Sequence, residues 1–134
     1  MNWLLDTDVA SQASRPRPDA RVMAWLEAQA DAVFLSALTL AEIAYGVAVA
    51  PESRRARLQS FLARLRRQHG DAILPLTESV LVRWKGLLAE LKESGRVLTC
   101  EDSLLAAHAL DLGFGVATLN PGHFLPTGVR CAEF

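Results

Sequence analysis

The sequence predicts an α/β fold, a three-layer α/β/α sandwich with a four- or five-stranded parallel sheet between helices. Two observations support this prediction. Short apolar segments of strand length alternate along the chain with longer segments whose apolar residues recur at helical spacing. The strand candidates are apolar throughout rather than alternating, which is typical of parallel strands covered on both faces.

The N-terminal part of the chain supplies the first strand and the first long helix. Residues 2–5, which end in Trp-Leu-Leu, predict a short buried strand that Asp6 ends. Prolines in the segment 15–18 then interrupt the chain. An amphipathic helix is predicted over about 19–30, with Trp25 on its inner side.

The middle of the chain predicts two strands and two helices. Residues 33–35 are the second strand candidate, and residues 39–42 match the Ser/Thr-x-x-Asp/Glu pattern of a helix N-terminus, which predicts a helix to about Val49. The next helix covers about 52–68, and 72–74 is a third short strand. That helix contains six arginines, most of them on its outer side: Arg54, Arg55, Arg57, Arg64, Arg66 and Arg67.

The C-terminal part repeats this alternation. Apolar residues recur at helical spacing over 80–95, and the capping pattern returns at 99–102, where it predicts a helix to about Leu112. Residues 113–118 predict a turn and then a strand, and 129–131 predict a last edge strand.

Length and composition limit the class of protein. The chain has 134 residues, 51% of them hydrophobic, and a net charge of -1, so we expect one globular domain over residues 1–134 rather than a disordered or polybasic chain. Two cysteines, Cys100 and Cys131, are too few for a disulfide framework. The sequence shows no signal peptide and no apolar stretch of membrane-spanning length, so we expect a cytoplasmic protein with no membrane partner.

Three acidic residues are expected at one edge of the predicted sheet. Asp6 follows the first strand, Glu42 lies in the first turn of the helix after the second strand, and Asp102 begins a later helix. Because the carboxyl ends of parallel strands open on one crevice, these carboxylates are expected to lie together. Like charges this close repel unless a cation lies among them, and Mg²⁺ or Mn²⁺ suits oxygen ligands. The acids therefore predict a divalent metal site.

An alternative interpretation is that each acid only caps a helix. Glu42 and Asp102 each follow a threonine by three residues, as in a capping box, and Asp6 is placed to cap a helix near Val9. The helical faces favour the metal site, because both acids are predicted to head apolar, buried stripes where a carboxylate needs a partner. The stripes are Tyr45, Gly46 and Val49 after Glu42, and Leu105, Ala106 and Ala109 after Asp102.

Four segments carry a recognisable pattern in their order and spacing. They are Leu4–Val9 (LLDTDV), Leu38–Gly46 (LTLAEIAYG), Asp102–Ala109 (DSLLAAHA) and Ala117–Phe124 (ATLNPGHF). Together they resemble PIN-domain nucleases, in particular the VapC-like toxins of bacterial toxin–antitoxin pairs. The resemblance covers nearly the whole chain, and the ordered set is more specific than any one segment.

The resemblance implies a PIN-like fold, Mg²⁺ or Mn²⁺ held by Asp6, Glu42 and Asp102, and hydrolysis of RNA. It also implies that Asn120, at the polar position of the last segment, is a catalytic residue. Thr7, beside the first acid, is implied to contact the site or the substrate. The partners that it implies are an RNA substrate, a cognate antitoxin and a second copy of the chain in a homodimer.

Two positions depart from the pattern of this family. Asp8 stands where many relatives have asparagine, and His123 stands where many have an acid. The missing carboxylate favours one metal ion rather than two, with Asp8 as an additional candidate ligand. His123 is a candidate contact to the RNA, and so are three of the arginines, Arg54, Arg55 and Arg57.

Two other functions remain open from the sequence. Asp6-Thr-Asp8 after an apolar strand also resembles haloacid-dehalogenase-like phosphatases, in which Asp6 would be the nucleophile and Asp8 the acid or base. That class needs a downstream Gly-Asp-x-x-x-Asp motif, and Gly70-Asp71 does not begin one. The third option is a catalytically inactive PIN-like binding module.

Overall fold

Four parallel strands form the central sheet of the computed structural model, which describes all residues 1–134. The strands are β1 (Trp3–Leu5), β2 (Val33–Ser36), β3 (Ile73–Leu74) and β4 (Gly115–Ala117). Their order across the sheet is β3-β2-β1-β4, so β1 is central and pairs with both β2 and β4. The predicted parallel sheet is confirmed.

The predicted edge strand at 129–131 is reduced to a single bridge. Cys131 pairs with Val116 of β4 in parallel. The Val116 amide donates to the Arg130 carbonyl oxygen at 2.8 Å, and the Ala132 amide donates to the Val116 carbonyl oxygen at 2.9 Å. This contact covers the outer edge of β4, which would otherwise expose unpaired backbone groups. The sheet therefore has four strands rather than five.

Six α-helices connect the strands, and the five longer ones lie close to their predicted positions. They are α1 (Thr7–Ala10), α2 (Ala20–Ala28), α3 (Ala37–Ala48), α4 (Glu52–His69), α5 (Glu78–Glu93) and α6 (Cys100–Leu112). Side-chain caps explain where five of them begin, because Asp6, Asp19, Ser36, Thr77 and Thr99 accept hydrogen bonds from first-turn amides of α1, α2, α3, α5 and α6. None of the helices has the length and apolar character needed to cross a membrane.

The start of α3 differs from the prediction. Ser36 caps this helix, since its hydroxyl accepts a hydrogen bond from the Leu38 amide at 3.1 Å, so the predicted cap at Thr39 is wrong. The Thr39 hydroxyl instead donates to the Leu5 carbonyl oxygen at 3.0 Å, and this buried bond ties α3 to the end of β1. Because α3 begins almost one turn earlier than predicted, Glu42 lies in its second turn rather than its first.

Each face of the sheet has its own hydrophobic core. Successive side chains of a strand point to opposite faces, so Leu4 packs on one side of β1 while Trp3 and Leu5 pack on the other. Helices α2, α3 and α4 contribute to the core around Trp3 and Leu5, and α5 and α6 contribute to the core around Leu4. The predicted three-layer arrangement is confirmed. Because β1 is buried on both faces, a charged side chain is tolerated only beyond its end, where Asp6 lies.

Candidate active site

The carboxyl ends of three neighbouring strands meet at one edge of the sheet. Asp6 follows β1, Ser36 ends β2, and Thr118 follows β4. The Asp6 amide donates to the Ala117 carbonyl oxygen at 2.8 Å, which extends the pairing of β1 with β4 as far as the acid. This location agrees with the crevice expected where the strands of a parallel sheet end.

Asp6 is held in the site by two hydrogen bonds. Its Oδ1 accepts from the Thr7 amide at 2.8 Å, so Asp6 caps α1, and its Oδ2 accepts from the Thr118 hydroxyl at 2.8 Å. Burial raises the pKa of Asp6 above its ordinary value, the Thr118 bond lowers the pKa, and repulsion by Asp8 and Asp102 raises it further. The capping interpretation is correct for Asp6, but the repulsion shows that it also shares its surroundings with other carboxylates.

Glu42 faces the site from the border of the buried surface of α3. The predicted apolar stripe is wrong here, because Tyr45 and Val49 are 70% and 62% exposed. The buried residues of α3 are Thr39, Ile43 and Val47. Burial nevertheless raises the pKa of Glu42, attraction to the Thr7 hydroxyl lowers this pKa, and repulsion by Asp6 raises it. Glu42 therefore belongs to the acid cluster although it does not head a buried stripe.

Asp102 lies in the first turn of α6, as predicted. The Thr99 hydroxyl caps this helix by accepting from the Asp102 amide at 3.1 Å. The Asp102 carboxylate does not return a hydrogen bond to Thr99, and its Oδ2 lies 3.4 Å from Nδ1 of His123. The stripe below Asp102 is confirmed, since Leu105, Ala106 and Ala109 are all buried. Helix capping therefore leaves this carboxylate available to the site.

Asp8 and Asn120 contact each other beside the acid cluster. Oδ2 of Asp8 accepts from Nδ2 of Asn120 at 3.0 Å and from the Leu119 amide at 3.1 Å. Its other oxygen, Oδ1, is buried and has no hydrogen-bond partner. Burial raises the pKa of Asp8, while the bond from Leu119 lowers it. The structure thus brings Asn120 to the site and directs its amide group to Asp8.

A small cavity of about 210 Å³ adjoins Glu42, and Thr7 and Ser14 also line it. The Thr7 hydroxyl oxygen is buried there without a hydrogen bond, although it is near enough to Glu42 to lower the pKa of that carboxyl. Nη1 of Arg57 donates to the Ser14 carbonyl oxygen at 3.1 Å. This bond attaches the Arg57 guanidinium to Ser14, one of the residues that line the cavity.

The other two arginines predicted to contact RNA do not touch the site. Nη2 of Arg55 donates to the Ala50 carbonyl oxygen at 2.8 Å, at the start of the α4 region. Arg54 is exposed on the first turn of α4 and makes no side-chain hydrogen bond. Of these three arginines, only Arg57 bonds to a residue that lines the small cavity. A fourth arginine, Arg15, is near enough to Asp8 for its charge to lower the pKa of that carboxyl.

The acid cluster has the donor chemistry of a site for a hard divalent cation. No lysine or arginine forms an ion pair with Asp6, Glu42 or Asp102. Burial and mutual repulsion raise the pKa of Asp6 and of Glu42, so a positive charge among them is favourable. No group of three or more acidic, histidine or cysteine side chains is arranged to hold a metal ion alone. That incomplete set fits Mg²⁺, which keeps several waters and takes only one or two carboxylates.

Comparison with known families decides between the interpretations of this site. The sequence model of the PIN domain matches residues 3–124. The chain belongs to the PIN domain family. Three acids, Asp6, Glu42 and Asp102, and the polar Asn120 all lie inside the matched part of this PIN domain, and the phosphatase alternative finds no support.

One relative of this PIN domain is named a ribonuclease and another is named a toxin. It is 34% identical over 131 residues to the VapC ribonuclease Y4jK of Sinorhizobium fredii. This alignment covers 94% of this chain and 92% of the relative. It is 33% identical over 132 residues to the toxin FitB of Neisseria gonorrhoeae, with 94% and 93% covered.

Solved structures confirm the fold of the PIN domain. The structure of FitAcB from Neisseria gonorrhoeae is similar with a TM-score of 0.89 and 32% identity, over 97% of this chain and 96% of that chain. VapBC-5 from Mycobacterium tuberculosis, described as a member of the VapBC family of toxin-antitoxin systems, has a TM-score of 0.72 and 25% identity, over 99% and 98%.

Two polar residues of this PIN domain escape sequence reasoning. Thr118 donates a hydrogen bond to Asp6. The only sequence feature that could have indicated this contact is its position, because Thr118 directly follows β4 as Asp6 directly follows β1. His108 is buried in α6, and its Nδ1 lies 2.9 Å from Oγ of Ser36 at the start of α3. Burial lowers the pKa of His108. This contact joins the two helices that carry the other acids of the site.

A larger cavity of the PIN domain lies apart from the acid cluster. It has a volume of about 790 Å³ and is bounded by residues of α2 and α4, with Leu5 of β1 at its base. Hydrophobic residues form 12 of the 15 that line it, and none of the proposed metal-binding acids is among them. Such a lining suits an apolar contact rather than phosphate chemistry.

Proposed function

We propose that this PIN domain is an endoribonuclease that depends on Mg²⁺ or Mn²⁺ and acts as the toxin of a toxin–antitoxin pair. The observation that carries the proposal is the cluster of Asp6, Glu42 and Asp102, whose negative charge no lysine or arginine balances through an ion pair. The names of two relatives, VapC ribonuclease and toxin FitB, support the same activity.

The proposed reaction is hydrolysis of an RNA phosphodiester by water, without a covalent intermediate. One or two of the three carboxylates, Asp6, Glu42 and Asp102, would hold the ion directly. The ion would lower the pKa of a bound water and offset the charge that develops on the phosphate. The hydrogen bond from Thr118 orients the Asp6 carboxylate. His123 lies against Asp102 with 66% of its side chain exposed, so it is placed to contact an approaching phosphate.

Cleavage of labelled RNA by the purified protein tests the proposal. We expect cleavage with Mg²⁺ or Mn²⁺, its loss on adding EDTA, and its recovery when Mn²⁺ is added in excess of the chelator. Hydrolysis of para-nitrophenyl phosphate, measured in parallel, should be absent. Cleavage that persists in EDTA would contradict the metal dependence, and a protein that binds RNA without cutting it would be a binding module.

Arg57→Gln is expected to weaken RNA binding without changing the fold. The guanidinium bonds to Ser14, which lines the same cavity as Glu42. If it contacts one RNA phosphate from there, its loss should lower the slope of log affinity against log salt by about one. Arg67→Gln, about 15 Å further along α4, is the matched control. Fluorescence anisotropy with labelled RNA at several salt concentrations measures both slopes. Equal slopes for the two variants would refute the assignment of Arg57.

A cognate antitoxin is the proposed protein partner. A similar solved structure is described as a member of a family of toxin-antitoxin systems, which supports such a partner. The apolar cavity between α2 and α4 suits a protein better than RNA, because its lining is mostly hydrophobic and contains neither lysine nor arginine. We propose that the antitoxin covers this cavity.

Ala24→Arg tests the proposed antitoxin surface. Ala24 is exposed on α2 and lines the cavity, so a long charged side chain there should weaken antitoxin binding by at least about tenfold and leave RNA cleavage unchanged. Ala28→Arg, exposed on the same helix but outside the cavity, is the control. Titration calorimetry with the cognate antitoxin measures both affinities. Equal affinities would place the antitoxin elsewhere.

A homodimer and a cytoplasmic location complete the proposal. Exposed apolar side chains are available for contact between two copies: Tyr45 on α3, Val49 directly after α3, and Val82 on α5. The location follows from the proposed RNA substrate, which the enzyme must meet inside the cell.

A further inference from the structure

We propose that Asp8 is a positioning residue, which holds the segment after β4 against the acid cluster and thereby orients Asp6. This segment, Thr118–Asn120, is named the closing segment. The inference rests on the proposed cation site, because it concerns how the Asp6 carboxylate is presented to the ion.

Asp8 links the ends of two neighbouring strands, β1 and β4, through hydrogen bonds. It lies on α1, directly after β1, whereas the closing segment directly follows β4. Oδ2 of Asp8 accepts two hydrogen bonds from successive residues, the Leu119 amide at 3.1 Å and Nδ2 of Asn120 at 3.0 Å. Bonds to an ionised acceptor are stronger than bonds between neutral groups, and two of them fix the segment in orientation as well as in position.

The closing segment carries the hydroxyl group that orients Asp6. Oγ1 of Thr118 accepts from the Asn120 amide at 3.0 Å and donates to Oδ2 of Asp6 at 2.8 Å. A hydroxyl has a single hydrogen to donate, and the N–H of Asn120 leaves that hydrogen free for Asp6. The Asn120 amide, whose position Asp8 sets, therefore helps to orient the Thr118 hydroxyl toward Asp6.

The surroundings of Asp8 argue against a role as a direct metal ligand. Its Oδ2 is already occupied by two hydrogen bonds. Its Oδ1 has less than 1 Å² of exposed surface and no partner, so a hydrated ion has no access to it. Asp8 therefore acts on the site through the closing segment and Asp6.

Two substitutions at Asp8 separate positioning from metal ligation. Asp8→Asn removes the negative charge but keeps a side-chain oxygen that can accept both bonds, whereas Asp8→Ala removes the acceptor altogether. If Asp8 positions the closing segment, Mn²⁺ affinity should survive the change to asparagine but not the change to alanine. If Asp8 binds the metal ion directly, neither variant should keep the affinity.

The test measures amide hydrogen exchange in the metal-free protein by NMR, and Mn²⁺ affinity by titration without RNA. In Asp8→Ala we expect faster exchange of the Leu119 amide and a fall in Mn²⁺ affinity of about 10- to 100-fold, the usual loss when a group that orients a metal ligand is removed. Asp8→Asn should keep the slow exchange and most of the affinity. Thr118→Val should lower Mn²⁺ affinity similarly while Leu119 still exchanges slowly, and it serves if Asp8→Ala does not fold.

Two results would overturn the proposal. One is unchanged exchange of Leu119 in Asp8→Ala, and the other is an equal fall in Mn²⁺ affinity in Asp8→Asn and Asp8→Ala. Failure of the cation site itself looks different, because the unsubstituted protein would then show no saturable Mn²⁺ binding. The exchange of Leu119 would still decide whether Asp8 holds the closing segment.

Discussion

Asp6→Asn is expected to reduce RNA cleavage by roughly a hundredfold or more while leaving the fold intact. Asp6 is the acid at the end of the central strand, and both its oxygens are oriented by hydrogen bonds from Thr7 and Thr118. Asparagine has nearly the same shape but no charge to attract a cation. Single-turnover cleavage of labelled RNA at saturating Mn²⁺ measures the effect.

The same substitution is expected to leave the metal-free protein at least as stable. Burial raises the pKa of Asp6, so the folded chain keeps this proton to a higher pH than the unfolded chain does, and the ionised carboxylate lowers the free energy of unfolding at neutral pH. Thermal unfolding in EDTA should therefore show an equal or higher midpoint. Added Mn²⁺ should raise the midpoint of the unsubstituted protein only.

Asp31→Asn is the matched control for Asp6→Asn. Asp31 is exposed just before β2, at the opposite end of that strand from the edge where the acids lie, so its loss should change neither cleavage nor the unfolding midpoint. Undiminished cleavage by Asp6→Asn would mean that this carboxylate does not hold the ion.

Gly115→Ala is expected to lower the free energy of unfolding by about 1–3 kcal/mol, the usual result of overpacking a core. A Cβ at this position of β4 would overlap two ring carbons of Trp3 and lie 3.0 Å from the Arg130 carbonyl oxygen. The Trp3 ring has little freedom to move, because it packs edge-on against Trp25 at 5.8 Å, and Trp25 packs against Phe134. Urea denaturation measures the loss.

Gly86→Ala is the control and is expected to have the opposite sign. Gly86 lies on an exposed face of α5, and a Cβ there meets nothing within 4 Å. Alanine is favoured over glycine inside a helix by up to about 1 kcal/mol, so this variant should be more stable. A Gly115→Ala protein as stable as Gly86→Ala would show that Trp3 does not pack on β4 as described.

The layers of the fold are largely predictable because its strongest signals are local. Helical spacing with a threonine cap defines α6 from the sequence, and apolar triplets locate β1 and β4. The weakest signal, at 129–131, yields only a bridge between Val116 and Cys131. That segment lacks the regular pattern that specifies a full strand.

Glu42 shows where local patterns mislead. Two hydroxyl residues, Ser36 and Thr39, compete for the start of α3, and sequence spacing alone favours Thr39 because Glu42 follows it by three residues. In the fold the Thr39 hydroxyl bonds to the Leu5 carbonyl oxygen, a tertiary contact that sequence spacing does not report. The helix start therefore moves, and the face predicted to be buried is exposed.

The candidate site is predictable in its acids but not in its connections. Asp6, Glu42 and Asp102 follow from strand ends, helix starts and a family pattern. Thr118 donates a hydrogen bond to Asp6, and Asn120 donates one to Asp8. Each contact joins residues more than a hundred positions apart, and only the pairing of β1 with β4 brings them together. Contacts of this kind depend on the order of strands in the sheet, which the sequence leaves open.

Anomalous X-ray diffraction from crystals grown with Mn²⁺ locates a bound ion without relying on activity. We expect an anomalous peak within coordinating distance of the Asp6 carboxylate, close to Glu42 and Asp102, and no such peak in crystals of Asp6→Asn. A peak that is absent at saturating Mn²⁺, or one that lies away from these three carboxylates, would contradict the proposed cation site.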